Sequence, residues 1–212
     1  GTIRINVGTA YAKHRLAPLM PEFRRRYPEI DLNISVADRR VDVIGEQIDV
    51  AIRIGQLTDS TLVARRLEEA KRVIAASPDY LARSGEPRQP SDLADHVCLA
   101  ITGFSRLSEW PLKVDGRVRP VVIKPAMICD NADILAEMAL AGTGIVRLGS
   151  FVIDDALADG RLKPLLVDCH VSETVPITAL MPPGRQHLPR VRAFVDFLVE
   201  KTRERQTKSR SG

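Results

Sequence analysis

Two arginines are the side chains of this sequence best suited to gripping a small anion. One closes the run Val50-Ala51-Ile52-Arg53-Ile54-Gly55 and the other stands in Gly144-Ile145-Val146-Arg147-Leu148. A guanidinium presents a rigid fork of donors that matches a carboxylate through two parallel hydrogen bonds. Gly8-Thr9-Ala10 adds a tight turn, a hydroxyl and following amides that can hold a carboxylate, and Gly55 lets a ligand approach the backbone. Thr102-Gly103-Phe104 offers a hydroxyl and an aromatic wall, and Asn131 follows Cys129-Asp130 with a side-chain amide. Each has a plainer reading beside the binding one. Thr9 and Asn131 can cap helices, Thr102 can be a turn residue, Arg53 can pair with Asp49 or Asp59, and Arg147 can face solvent.

Catalytic groupings are thin. A reacting centre needs a nucleophile beside its base, a metal cluster, or a paired acid and base. Cys169 and His170 are sequence neighbours, whose side chains do not easily face one another, and His14, His96 and His187 are scattered without metal-ligand spacing. No GxSxG, P-loop or GxGxxG occurs. The expectation is a binding protein, not an enzyme, with no cofactor and no metal.

Composition fits that expectation. The 212 residues can form one large domain or two small lobes with ample core. The hydrophobic fraction is 44%, the charged fraction 27% and the aromatic fraction only 4%, so the core must be mostly aliphatic, as a mainly parallel sheet covered on both faces requires. A formal net charge of +4 suggests nucleic acid, but much of the excess lies in the tail Lys201 to Gly212. No apolar residue anchors that tail, which reads as a frayed helix end passing into disorder. Arg24-Arg25-Arg26 reads as the wet face of a helix. The three cysteines, Cys98, Cys129 and Cys169, make no disulfide framework and fit a reducing cytoplasm. No segment has the apolar length of a membrane span, and the opening residues lack a signal peptide's pattern. A cytoplasmic protein without a membrane partner is expected, with the reservation that other segments can precede Gly1.

The positioning elements follow from hydrophobic period. Ile3, Ile5 and Val7 alternate as a strand ending at Gly8, and Leu16, Leu19, Met20, Phe23 and Tyr27 recur with helical spacing. Pro18 and Pro21 cannot both sit in an undisturbed helix interior. Asp31 to Val36 and Val50 to Ile54 are further strands, with room for only a brief helix over Asp38 to Gly45. This β-α-β-α-β order predicts right-handed crossovers and a parallel sheet. Leu62 to Leu67 and Arg72 to Ala76 are strand-like. Ser77 is a cap with Pro78 at the first helical position. Val97 to Ile101, Trp110 to Val114 and Val118 to Ile123 are strands, the last two turning at Asp115-Gly116. Asn131 to Ala141 is a helix, Gly144 to Leu148 a strand, Phe151 to Leu157 a helix, Val175 to Met181 a strand, and Leu188 to Lys201 a long amphipathic helix. If the chain crosses near Glu69 to Arg72 and returns near Ser172 to Val175, its last strand and helix complete the first lobe. Residues 1–71 with 174–212 then form lobe I and residues 72–173 lobe II, with two hinges suited to closure around a ligand.

Across nearly the whole chain a family likeness is carried by Leu16-Ala17-Pro18-Leu19-Met20-Pro21-Glu22-Phe23 with Tyr27-Pro28, Ile48-Asp49-Val50-Ala51-Ile52-Arg53-Ile54-Gly55 and Ser77-Pro78-Asp79-Tyr80-Leu81. Pro90-Ser91-Asp92-Leu93 with His96, Trp110 ahead of Asp115-Gly116, Ala141-Gly142-Thr143-Gly144-Ile145, Gly160-Arg161-Leu162, and Val191 to Leu198 continue it. In order and spacing these phrases resemble the effector-binding domain of LysR-type transcriptional regulators. Gly149 departs from the pattern, since relatives commonly place proline there. The resemblance implies a two-lobed, periplasmic-binding-protein-like fold (type 2) of two Rossmann-like subdomains. It implies an effector in the interlobe cleft, raises Thr102 as a contact, and implies a homodimer or tetramer acting on DNA. The family's winged helix-turn-helix is not in this sequence, so contact with DNA is expected only through an absent N-terminal domain. A transport-type solute-binding protein of the same architecture is the competing reading. Leu16 to Phe23 is a candidate dimer surface unless the core consumes it.

Overall fold

The computed structural model of the chain describes residues 1–57, 61–102 and 108–212. In chain order its elements are β1 (Thr2–Val7), α1 (Thr9–Tyr11), a π turn (Ala12–Leu16), α2 (Ala17–Arg26), β2 (Asp31–Val36), β3 (Val50–Ile54), β4 (Val63–Ala70) and β5 (Arg72–Ala76). There follow α3 (Pro78–Ser84), a 3-10 turn (Pro90–Asp95), β6 (Cys98–Ile101), β7 (Glu109–Val114), β8 (Arg117–Val122), β9 (Pro125–Cys129) and α4 (Ala132–Leu140). The last are β10 (Val146–Gly149), α5 (Ser150–Ala158), β11 (Lys163–Pro164), β12 (Val175–Met181), a 3-10 turn (Arg185–His187) and α6 (Pro189–Arg210). The chain divides into two compact units, Gly1–Ala70 with Val175–Gly212, and Lys71–Thr174.

The first unit is built on a five-stranded sheet in the order β2-β1-β3-β12-β4. β1 runs parallel to both β2 and β3, as the order of strands in the sequence predicts, although no helix joins β2 to β3, whereas β12 lies antiparallel between β3 and β4. Burial explains why β12 can insert there: all seven of its residues are buried, the signature of a central strand covered on both faces. Ile3, Ile5 and Val7 bury one face of β1, and α2 and α6 close over the sheet with Phe23 edge-on to Phe194 and Phe197 at 5.5 and 5.2 Å. Leu16 and Phe23 are thus core residues, which takes both ends of the candidate dimer stripe into the interior, while Leu19 and Met20 between them stay half-buried.

The prolines of α2 are accommodated by a widened turn. The Ala17 amide donates to the Ala12 carbonyl five residues back, and this π turn, placed just before Pro18, relaxes the register in which a proline ring would meet the carbonyl four residues earlier. Asp38 to Gly45 forms bends and turns with no helix.

The tail departs most from expectation: α6 runs on to Arg210. Its anchors are polar, which is why an apolar pattern misses them. Thr202 is buried, Lys201 pairs with Glu22 at 2.6 Å, and Arg205 Nη1 donates to both oxygens of the buried Glu68 at 3.0 and 3.1 Å.

The second unit contains β10 and β11 antiparallel to β5, β6 parallel to β9, and the β7–β8 hairpin turning at Asp115 and Gly116, both at positive φ. A bridge from Cys98 to Ile145 joins the β6 pair to the strand entering β10. β9 was not expected as a strand, because Met127 and Ile128 lie exposed on it and leave no alternating signal. α3 has its cap, Ser77 Oγ accepting from the Tyr80 amide at 3.1 Å, and Pro78 as first helical residue.

Candidate functional site

In the first unit the neighbouring parallel strands β2, β1 and β3 end together, and an open α/β sheet places its ligands beyond such carboxyl ends. Val7 pairs with Val36 and with Ile52, so the chain leaves these strands through Asp38, Thr9 and Arg53. Thr9 is engaged here. Its amide donates to Asp38 Oδ1 at 2.8 Å and its hydroxyl to Asp38 Oδ2 at 2.7 Å. The amide-and-hydroxyl cradle fits a carboxylate and holds one supplied by the chain itself. Helix-capping by the Thr9 side chain is not what the geometry shows, since the cap position is Gly8. Ala10 is half-buried beside it.

Arg53 is half-buried, and among the described residues its Nη1 donates only to the carbonyl of its neighbour Ile52 at 3.1 Å. Its Nη2 is buried and has no hydrogen-bond partner among the described residues. Burial, reinforced by the nearby Arg40 charge, lowers its pKa. Asp49, one of the two partners considered for it, is committed elsewhere: it pairs with Arg185 at 3.1 Å and accepts the Arg4 amide at 2.9 Å. The other, Asp59, lies outside the described residues. Gly55 takes φ 111°, a backbone state that favours glycine, while its amide donates to the Pro176 carbonyl.

The second unit repeats the arrangement with Thr102 and Asn131 beyond the parallel strands β6 and β9, where Ile101 pairs with Cys129. Thr102 is exposed, and its amide donates to the Cys129 carbonyl at 2.9 Å. Asn131 is the cap of α4, its Oδ1 accepting from the Ile134 amide at 3.0 Å. Phe104 lies outside the described residues. Gly144 is demanded by packing: a Cβ there would collide with the Val97 carbonyl across the strand contact.

Arg147 is not solvent-facing. It is 9% exposed, and its Nε–H donates to His170 Nε2 at 2.9 Å. An arginine in a protein is always a donor, so His170 Nε2 must be the unprotonated nitrogen and the ring neutral. Burial first, then the charges of Arg147 and Arg72, push the imidazole down to about 4. Burial and the Arg72 charge push Arg147 down to about 10. The sequence reading weighs His170 only beside Cys169 and does not single out Arg72. The available signal was Arg72's place in the alternation Arg72-Val73-Ile74, which sets it on the face of Ile74, the residue paired with Arg147. Asp38 was missed too, although it directly follows β2 and Ala37.

Among the described residues no cluster of His, Cys, Asp and Glu could hold a metal ion. The Cys169 thiol faces the Leu166 carbonyl at 3.5 Å, and burial raises its pKa. No helix of the described residues is long and apolar enough to cross a membrane.

The family model described as the LysR substrate binding domain matches residues 1–203. The chain belongs to that family. The LysR-type domain is 36% identical over 200 residues to the HTH-type transcriptional regulator CrgA of Neisseria meningitidis, covering 94% of this chain and 67% of that protein. A Xanthomonas campestris HTH-type transcriptional regulator is 34% identical over 94% of this chain and 59% of its own length. Among solved structures, the CrgA regulatory domain superposes with a TM-score of 0.89 at 35% identity, covering 95% of this chain and 98% of that one. Full-length AphB, a Vibrio cholerae virulence activator, gives 0.80 at 26% identity, covering 94% of this chain and 68% of that one. The LysR-type domain thus spans roughly 59–67% of the length of these sequence relatives, and its fold class is the α/β, periplasmic-binding-protein-like type.

Proposed function

We propose that the LysR-type domain is the effector-sensing part of a DNA-binding transcriptional regulator. A small anionic molecule held between the two lobes shifts an open–closed equilibrium by its unequal affinity for the two states. The shift reorients subunits of a homodimer or tetramer in the cytoplasm, and a winged helix-turn-helix outside this sequence meets the DNA. The observation carrying this reading is the convergence of Thr9, Arg53 and Gly55, and separately of Thr102 and Asn131, on the carboxyl ends of parallel strands within each unit.

The test is a thermal-shift screen of small carboxylates, aromatic acids and amino acids. A ligand at 100 times its dissociation constant adds about 2.7 kcal/mol of stability. The expected hit loses its effect in Thr9→Val or Arg53→Leu. A hit that survives both substitutions removes these strand ends from the binding site. Sedimentation of the domain tests self-association, for which Ile34 and Val36, exposed on edge strand β2, are apolar contacts to set beside the half-buried Leu19 and Met20.

A further inference from the structure

We propose that Arg147 and Arg72, backed by His170, form a binding site in the second unit for a small monoanionic carboxylate. The inference rests on reading the chain as an effector-binding domain and locates a ligand class within one unit of it.

β10 and β5 are antiparallel, with Arg147 opposite Ile74 and Gly149 opposite Arg72. Paired residues share a face, and so do residues two apart on one strand, so both guanidinium side chains leave the same side of the sheet. That side is the one whose interior continues through Ile74, Ala76, Ile145 and Leu112. The two arginines therefore stand at the rim of an aliphatic core. A charge so placed is costly unless it is paired. Neither Arg147 nor Arg72 has a carboxylate within ion-pair distance among the described residues, and the acid whose charge reaches both is the exposed Glu173.

His170 makes the site directional. It takes the Nε–H of Arg147 and holds the guanidinium by that edge, leaving the terminal amines without a hydrogen-bond partner among the described residues. Ser172 ties Arg72 at its backbone, accepting from the amide and donating to the carbonyl, both at 3.2 Å, and leaves the Arg72 side chain free of that contact. Two cations against one distant acid leave a local charge near +1, which matches a carboxylate better than a phosphate dianion. The fork geometry of the free amines favours the same ligand.

The experiment is titration calorimetry of the whole chain with benzoate, acetate and inorganic phosphate, with melting curves confirming that each variant folds. Benzoate or acetate binds the parent chain more tightly than phosphate. Arg147→Leu, an apolar replacement suited to the buried position, weakens that binding at least 10-fold, and Arg72→Gln weakens it as well. Arg147→Lys falls between, having lost the fork and kept the charge. Arg117→Gln, exposed on β8, leaves the affinity unchanged. Three results overturn the inference: no binding of any probe at millimolar concentration, tighter binding of phosphate, or affinity intact in Arg147→Leu. If the last comes with loss in Arg53→Leu, the effector reading stands and the anion lies in the first unit; a neutral effector found in the wider screen likewise separates the two.

Discussion

The carboxylate of Asp38 closes over Thr9, accepting from its amide at 2.8 Å and its hydroxyl at 2.7 Å. Any effector carboxylate that uses Thr9 must first displace this internal one. Asp38→Ala is therefore expected to cost about 1 kcal/mol of stability, below the usual range for hydrogen bonds to a charged acceptor because Asp38 is exposed. It should at the same time raise the affinity for a carboxylate bound at Thr9. Urea unfolding and ligand titration of the same variant check both signs. A variant that loses stability and binds no better would make Asp38 a purely structural cap.

Much of the positioning framework was legible because it rests on period. β1, β2, β3 and β12 announce themselves by aliphatic residues, and the hairpin at Asp115-Gly116 by its turn residues. What escaped was held by polar contacts between residues far apart in sequence. Glu68 reaches Arg15 and Arg205, 53 and 137 residues away, and no local pattern records either pairing. Arg147 looked like a surface residue for the same reason, since only the fold brings His170 to its Nε. β9 escaped because its side chains, exposed at a sheet edge, carry no core signal.

Glu68 is the second point of test. Its buried carboxylate receives Nε of Arg15 at 3.2 and 3.3 Å and Nη1 of Arg205 at 3.0 and 3.1 Å, so it fastens both the π turn and the end of α6 to β4. Glu68→Ala leaves two guanidiniums facing an empty place and should cost about 3 kcal/mol. The signature is local as well as global: hydrogen exchange of amides beyond Thr202 should accelerate, because the α6 tail has lost a principal anchor. Unchanged protection there would show that the tail holds by other means.

Gly144→Ala is expected to be severe for a reason of space. The added Cβ would meet the Val97 carbonyl, whose strand carries the Leu99 to Ile145 and Ile145 to Val97 hydrogen bonds at 2.9 and 2.8 Å. Forcing the strands apart should destabilise by about 1–3 kcal/mol. Gly149→Ala, where the nearest atoms belong to the Phe151 ring, should be milder because a side chain can yield. Equal melting temperatures for the two variants would contradict the difference.

His170 gives the domain a pH dependence that can be separated from that of its carboxylates. The folded ring is held down to about 4 by burial, Arg147 and Arg72, against an ordinary value of 6.5. A lowered folded value means that the unfolded chain binds the proton more readily, so the stability is whole above pH 6.5 and is lost as pH falls toward about 4. Between pH 6.5 and 5 carboxylates at ordinary values stay largely ionised, and the loss in that window belongs mainly to histidine. It should amount to about 1 kcal/mol once solvent access to the half-buried ring is allowed for. His170→Gln keeps an acceptor for Arg147 Nε and removes the titration, so its urea midpoint should stay nearly level from pH 6.5 to 5 while that of the parent chain falls. Parallel slopes for the two proteins would place the pH response at another histidine and loosen the case for a neutral ring beside Arg147.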